Sequence, residues 1–250
     1  MKTIFISGAT AGFGAAMTAR FIKNGNQVIA TGRRIERLEE LKKLYGEKIH
    51  TIVLDIRNAS DVEKAIAILP TQFKNIDVLI NNAGLALGVD SAQNAKLSDW
   101  ETVIDTNING VINCTHALLP EMVKKNNGHI INLGSVAGEF PYPGGNVYGA
   151  TKAFVHQFTL NLKADLIGTN VRVTCIEPGM CETEFSAVRF SGDQQKAQDV
   201  YKGMTPLSAD DIAETIEWVM NRPAHVNINT ISLMPTAQAF GAFAIDRGRA

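Results

Sequence analysis

Cysteine is scarce in this chain: three residues among 250, at Cys114, Cys175 and Cys181. An odd, widely spaced set excludes a disulfide framework and lacks the paired spacing of a zinc site, so no metal centre is expected. Such usage fits a reducing compartment, and the cytoplasm is the expected location. Cys175, inside V-R-V-T-C-I, reads as a buried core thiol, whereas Cys181, after Pro178-Gly179-Met180, is expected nearer the surface with no catalytic role. Charge of one sign is also missing: 24 Lys and Arg face 25 Asp and Glu, a formal net charge of −1. A nucleic-acid or anionic-membrane partner would favour a basic excess, so neither is expected. No apolar run approaches the ~18–20 residues of a membrane span, and the opening M-K-T-I-F-I-S-G-A-T has too short an apolar run for a signal peptide. No linker, repeat or shift of composition divides the chain.

What is present is 45% hydrophobic residues, enough for a sizeable core. Short apolar runs at Thr3–Ser7, Gln27–Thr31, Ile49–Leu54, Val78–Ile80, His129–Leu133, Val171–Ile176 and Ile228–Met234 predict strands. Helices are predicted between them, at about Phe13–Asn24, Arg34–Tyr45, Ala59–Leu69, Ser98–Lys125, from Asn146 through Leu162, and Ala209–Asn221. Strands alternating with helices predict an α/β fold: a single doubly wound Rossmann domain over residues 1–250, with a parallel sheet of about seven strands and helices on both faces. The polar stretch from 180 to 204, with weak helical pattern, reads as a mobile lid.

The first strand runs into S-G-A-T-A-G-F-G, with Gly8, Gly12 and Gly14 opening a helix. Strand, glycine turn and helix in that order make a phosphate cradle, because glycine admits close approach and a helix N-terminus offers free N–H groups. The spacing is not the G-x-G-x-x-G of the generic fingerprint, and a turn that merely caps a helix remains an alternative. The second strand ends in Gly32-Arg33-Arg34, where dinucleotide folds often carry an acid for the ribose 2′-hydroxyl. Two guanidiniums suit a 2′-phosphate, which favours NADP over NAD; alternatively both begin the next helix as solvated charges. Asp55, at the end of the third strand, can accept from an adenine amino group. Asn107 sits among apolar residues of a long helix and must bond something specific, whether structural or functional. Ser135 stands at a carboxyl strand end, where open α/β sheets bind ligands. Tyr148 and Lys152 are four residues apart on one helix, about 5–6 Å at Cβ. A cation beside a phenol lowers its pKa from ~10 towards the range useful for proton transfer, although such pairs also occur on solvated helix faces.

Assembled in order, these motifs resemble the short-chain dehydrogenase/reductase family over essentially the whole chain. The family's G-x-x-x-G-x-G falls at Gly8–Gly14, its N-N-A-G at Asn81–Gly84, its helix asparagine at Asn107, its serine at Ser135, its Y-x-x-x-K at Tyr148–Lys152 and its P-G at Pro178-Gly179. The resemblance implies that Tyr148 exchanges a proton with the substrate oxygen and Ser135 positions that oxygen. It also implies that Lys152 lowers the tyrosine pKa and holds the nicotinamide ribose, while Asn107 continues a relay through water. The cofactor would be framed by Thr10 and Phe13 in the glycine loop, by Asn82, Ala83 and Gly84, and by Pro178, Gly179 and Thr183.

A narrower resemblance is carried by I-A-T-G-R-R, N-N-A-G-L-A-L-G, G-G-N-V-Y-G-A-T-K-A-F-V and P-A-H-V-N-I-N-T, with Ser7 in place of an opening threonine. These are similar to NADP-dependent 3-hydroxy acid dehydrogenases, which implies action on serine, L-allo-threonine or 3-hydroxypropionate and malonic semialdehyde, and a homotetramer packed through the long helices. A 3-hydroxy acid needs its carboxylate bound, and Arg189 in F-S-A-V-R-F is the expected partner; a surface salt bridge is the alternative. Two other functions stay open: a carbonyl reductase of other ketones, and a non-catalytic NADP-binding regulator.

Overall fold

All the strand pairings are parallel, in the order β3-β2-β1-β4-β5-β6-β7. The computed structural model describes residues 1–190 and 192–241; the last nine residues of the expected domain, and residue 191 of the polar stretch, lie outside it. The chain runs β1 (Thr3–Ile6), α1 (Gly12–Lys23), β2 (Gln27–Gly32), α2 (Ile35–Tyr45), β3 (Ile49–Val53), α3 (Ala59–Ala67) and β4 (Val78–Asn81). It continues through α4 (Leu97–Ile104), α5 (Gly110–Lys124), β5 (Gly128–Leu133), α6 (Asn146–Asp165) and β6 (Val171–Pro178). Short α7 (Glu184–Arg189) and α8 (Gln194–Asp199) precede α9 (Ala209–Met220) and β7 (Thr230–Leu233).

Alternation of side chains along each strand sorts the core into two layers. Ile4 and Ile6 of β1 face Met17, Phe21, Ile212 and Ile216 from α1 and α9. Phe5, between them, faces the other way, towards Val62, Leu118, Met122 and Leu162 of α3, α5 and α6. Both faces are covered, which is why these strands read as continuous apolar runs instead of an alternating pattern. Fully burying a side chain such as Phe5 or Phe21 contributes about 1.5–3 kcal/mol.

Two expectations change. The helix expected from Ser98 to Lys125 is interrupted by a π turn at Asp105–Asn109 that separates α4 from α5. The weak helical pattern of the polar stretch corresponds to α7 and α8, N-capped by Thr183 and Asp193, whose side chains accept from Phe185 N and Lys196 N. Cys181 is buried. A parallel bridge to Leu207 encloses it, with Glu182 N donating to Leu207 O at 2.9 Å and Leu207 N to Met180 O at 3.0 Å. Burial pushes its thiol up to about 12.

His129, near the amino end of β5, is buried and meets Thr174 Oγ1 at 2.8 Å through Nε2. Burial first, then the nearby Arg172 and Lys2 charges, push its pKa down to about 3. Between that value and the unfolded value near ~6.5 the unfolded chain binds the extra proton, so stability falls as pH drops through this window, by up to about 1.4 kcal/mol per pH unit. Urea titrations of His129→Gln between these limits are expected to show a flatter dependence than the parent chain.

Candidate active site

The carboxyl ends of β1, β2, β4, β5 and β6 open onto one cleft of about 410 Å³. Sheet order places it where the connections reverse, between β1 and β4, the position at which open α/β sheets take ligands. Of the residues expected around a cofactor, Gly8, Thr10, Gly12, Phe13, Arg33, Arg34, Asp55, Asn82, Ala83, Gly84, Tyr148, Lys152, Pro178, Gly179 and Thr183 all border this cleft. Gly14 supports it from beneath: a Cβ there would lie 2.2 Å from Gly8 O. Gly8 has φ +69, left-handed backbone that a side chain would strain. Helix α1 has no side-chain cap and no acid in its first turn, so its N–H groups are left for an anion. A dinucleotide phosphate fits that end.

Arg33 is exposed and makes no hydrogen bond among the described residues, whereas Arg34 donates from Nε and Nη2 to Thr10 Oγ1 at 3.3 and 3.1 Å. Both arginines stand at the cleft mouth, which suits a 2′-phosphate on the ribose. Asp55 is also at the cleft, but its carboxylate is paired with Arg57, at 2.9 Å from Nε and 2.5 Å from Nη2. The Arg57 guanidinium holds the Asp55 carboxyl below its usual range. Arg57, like Arg37 and Glu184 beside the arginine pair, was not expected from sequence, because each contact joins residues that only folding brings together or leaves an exposed charge with a local partner.

At the other end of the cleft, α6 brings Tyr148 and Lys152 beside Ser135. Ser135 Oγ accepts from Ala137 N at 3.1 Å and donates to Pro178 O at 3.3 Å, linking the ends of β5 and β6. Lys152 is 7% exposed; its Nζ donates to Leu133 O at 2.7 Å and lies 5.8 Å from the Tyr148 ring centroid. Behind it Glu177, itself buried, meets His156 Nδ1 at 2.6 Å and accepts from Ser232 Oγ at 2.6 Å, tying α6 to β6 and β7. Cys175 Sγ lies 3.8 Å from the same carboxylate.

The electrostatics correct one expectation. Burial pushes the Tyr148 phenol up, to about 12, and only the Ser135 hydrogen bond and the Arg189 charge pull against it. Lys152 does not lower it here; its ammonium is engaged by the Leu133 carbonyl, and burial lowers its own pKa to about 8. Desolvation disfavours both charged forms and outweighs attraction between them.

Asn107 is 1% exposed. Its Oδ1 accepts from Leu85 N at 2.9 Å, and Nδ2 donates to Leu85 O at 2.9 Å and Thr151 Oγ1 at 3.0 Å. From within the π turn its amide thus holds the loop after β4.

Arg189, expected to bind a carboxylate, is not among the residues that border the cleft, although Phe185 and Val188 of the same helix are. Its Nη2 donates to Tyr142 Oη at 2.6 Å, and its guanidinium carbon lies 5.7 Å from the Tyr148 ring centroid. Among the described residues it forms no ion pair, so the surface salt bridge is not what it makes. Tyr142 and Phe185, whose ring lies 5.6 Å from that of Tyr148, were not anticipated; Tyr142 is in a loop and Phe185 in a helix of six residues, too short to carry a periodic signal.

The description "short chain dehydrogenase" matches residues 2–194. The chain belongs to the short-chain dehydrogenase family and is an oxidoreductase of that class. It is 56% identical over 98% of its length to the NADP-dependent 3-hydroxy acid dehydrogenase YdfG of Salmonella typhi, covering 99% of that protein. It is 54% identical to the serine 3-dehydrogenase of Agrobacterium fabrum, with 98% of each chain covered. A closed form of a serine dehydrogenase complexed with NADP+ superposes with a TM-score of 0.97 at 54% identity, covering 98% of this chain and 100% of that one.

Removing the Asn107 amide leaves a backbone N–H and C=O of Leu85 unpaired. Asn107→Ala is expected to lower stability by about 2–3 kcal/mol in urea denaturation and to weaken dinucleotide binding in a fluorescence titration, because Gly84 and Leu85 lose their anchor.

Proposed function

We propose that this protein is a dehydrogenase of small 3-hydroxy acids, interconverting the 3-hydroxyl and the 3-oxo group of compounds such as serine, L-allo-threonine and 3-hydroxypropionate, whose oxidised form is malonic semialdehyde. NADP is its cofactor. The relatives named for NADP dependence are alike over the full length, and Arg33 and Arg34 stand where a 2′-phosphate would lie. The single observation that carries the substrate reading is Arg189: a guanidinium without a carboxylate partner, 5.7 Å from the ring of Tyr148. That separation suits a short acid whose carboxylate meets the guanidinium while its hydroxyl meets the phenol.

A bound nicotinamide supplies the hydride chemistry. The residues of this chain do the rest. Ser135 Oγ and Tyr148 Oη hold the substrate oxygen; on oxidation the O–H proton passes to Tyr148, and on reduction it returns. Lys152, with a pKa of about 8, is an amine able to give or take a proton near neutrality. Asn107, through Leu85, holds the loop whose Gly84 borders Lys152 Nζ and its own Oδ1. Residues 180–204 act as the lid, since α7 places Phe185 and Val188 on the cleft wall. The protein works in the cytoplasm as a homotetramer joined through the long helices; exposed Ile104 and Ile112 on α4 and α5 favour such packing. No helix among the described residues is long and apolar enough to cross a membrane.

The test is NADP reduction with L-serine, L-allo-threonine and 3-hydroxypropionate, each repeated with NAD. Turnover with NADP and any of the three is expected; silence with all three moves the assignment to a reductase of other carbonyls. Tyr148→Phe is expected to lose about 10²–10⁴ in kcat while keeping its cofactor affinity, the outcome that separates an enzyme from a binding protein. Arg189→Ala is expected to raise the KM for L-serine by about tenfold, in line with loss of a charge-assisted hydrogen bond; an unchanged kcat/KM removes Arg189 as the carboxylate partner. Because burial keeps the phenol protonated at neutral pH, oxidation is expected to quicken as pH rises through the alkaline range.

A further inference from the structure

Glu184 opens α7, and its carboxylate is shared by two arginines from the other side of the cleft mouth. Oε2 accepts from Arg34 Nη1 at 2.9 Å and Oε1 from Arg37 Nη1 at 2.7 Å. The same arginines grip the glycine loop: Arg34 through Thr10 Oγ1, and Arg37 Nη1 through Thr10 O at 3.2 Å. Thr183, the cap of α7, lies against Gly12, where an added Cβ would meet Thr183 Cβ at 3.4 Å. One carboxylate therefore joins the lid, the phosphate loop and the start of α2.

The charges around it can be counted. Arg33, Arg34 and Arg37 contribute three positive charges and Glu184 one negative, while Asp55 is neutralised by Arg57. The net is two positive, and a phosphomonoester at neutral pH carries about −1.5 to −2. Glu184 thus trims the arginine cluster to the charge of the 2′-phosphate. It also competes with that phosphate for Arg34, while Arg37 keeps it seated. Downstream on the same short helix are Phe185, against the Tyr148 ring, and Arg189. We propose that Glu184 is a specificity-determining residue that couples recognition of the cofactor's 2′-phosphate, through Arg34 and Arg37, to the seating of α7 against Tyr148.

This rests on the NADP reading above. The test compares the parent chain with Glu184→Gln and Arg37→Gln by two measurements that involve no substrate: NADPH and NADH affinity by fluorescence titration, and amide exchange across residues 184–190. These side chains are partly exposed, so the shifts expected are a few-fold and largest at low salt. Glu184→Gln is expected to tighten NADPH about two- to fivefold, to leave NADH within about twofold, and to speed exchange across α7. Arg37→Gln is expected to speed the same exchange but weaken NADPH by about two- to fivefold. Opposite affinity shifts with a common loosening of α7 are the signature of the coupling. If both variants weaken NADPH and NADH alike, if exchange across α7 matches the parent, or if only one measurement moves, the proposal is overturned. Failure of the NADP reading is distinct: the parent chain would then bind NADPH no better than NADH.

Discussion

The site hangs on a polar stitch across the central strands, where β1 and β4 lie side by side and their following loops must diverge. Asn82 donates from Nδ2 to Ser7 O at 2.9 Å and to Gly8 O at 3.0 Å. In return Ser7 Oγ accepts from the backbone N–H groups of Asn82 and Ala83, both at 3.0 Å. Four backbone groups that leave the sheet on the partly buried floor of the cleft are thereby paired, and orphaning one in a buried setting would cost about 1–3 kcal/mol. The geometry explains why serine serves where threonine was expected, since only the hydroxyl takes part. It also explains why Gly8 and Gly14 have no room for a side chain: the same stitch draws the two loops together until a Cβ on Gly14 would touch Asn82 Nδ2 at 2.8 Å.

From that stitch the support propagates outward through buried polar groups, each satisfied by backbone. Asn107 holds Leu85, Lys152 holds Leu133, and Ser135 bridges to Pro178. Three strand ends and two helices are thereby fixed relative to one another without any ligand. The consequence is electrostatic as well as mechanical. Lys152 is buried and Tyr148 half-buried on the cleft wall, and both are shifted towards their neutral forms, the phenol upward and the amine downward. With a pKa of about 8, Lys152 still carries its proton near neutrality while the phenol keeps its own, so both groups rest in their protonated forms.

Much of this was legible in the sequence, and the reason is local. Apolar runs of strand length, separated by helical periodicity, specify a doubly wound sheet, and boundaries moved by a residue or two in most elements and by three at the end of α6. Glycines at Gly8, Gly12 and Gly14 and the Tyr148–Lys152 spacing are properties of single elements, so they can be read before folding. Illegible features were of another kind. The π turn at Asp105–Asn109 contains Asn107, whose side chain bonds a loop 22 residues earlier. Burial of Cys181 depends on a bridge to Leu207. The direction of the Tyr148 shift depends on how completely three elements exclude water, which no spacing of two residues encodes.

Arg34 and Arg189 could be read in the sequence as charges, but their contacts with Glu184 and Tyr142 could not. Residues beneath the cleft are locked by bonds to backbone, and changing them damages the frame whatever the ligand. At the cleft mouth, Arg33 has no partner among the described residues, and Arg34, Arg37 and Glu184 are exposed charges held by pairs that are individually weak. Such pairs can exchange partners, carboxylate for phosphate, at little energetic cost. Arg189 is held through a tyrosine hydroxyl and a backbone carbonyl in the same spirit: its guanidinium is positioned, yet its charge is not neutralised. An arrangement of this kind separates two demands that conflict within one set of residues. The proton-transfer geometry needs rigidity, which buried hydrogen bonds supply, while recognition of anionic groups needs unspent charge, which only partly exposed side chains can keep.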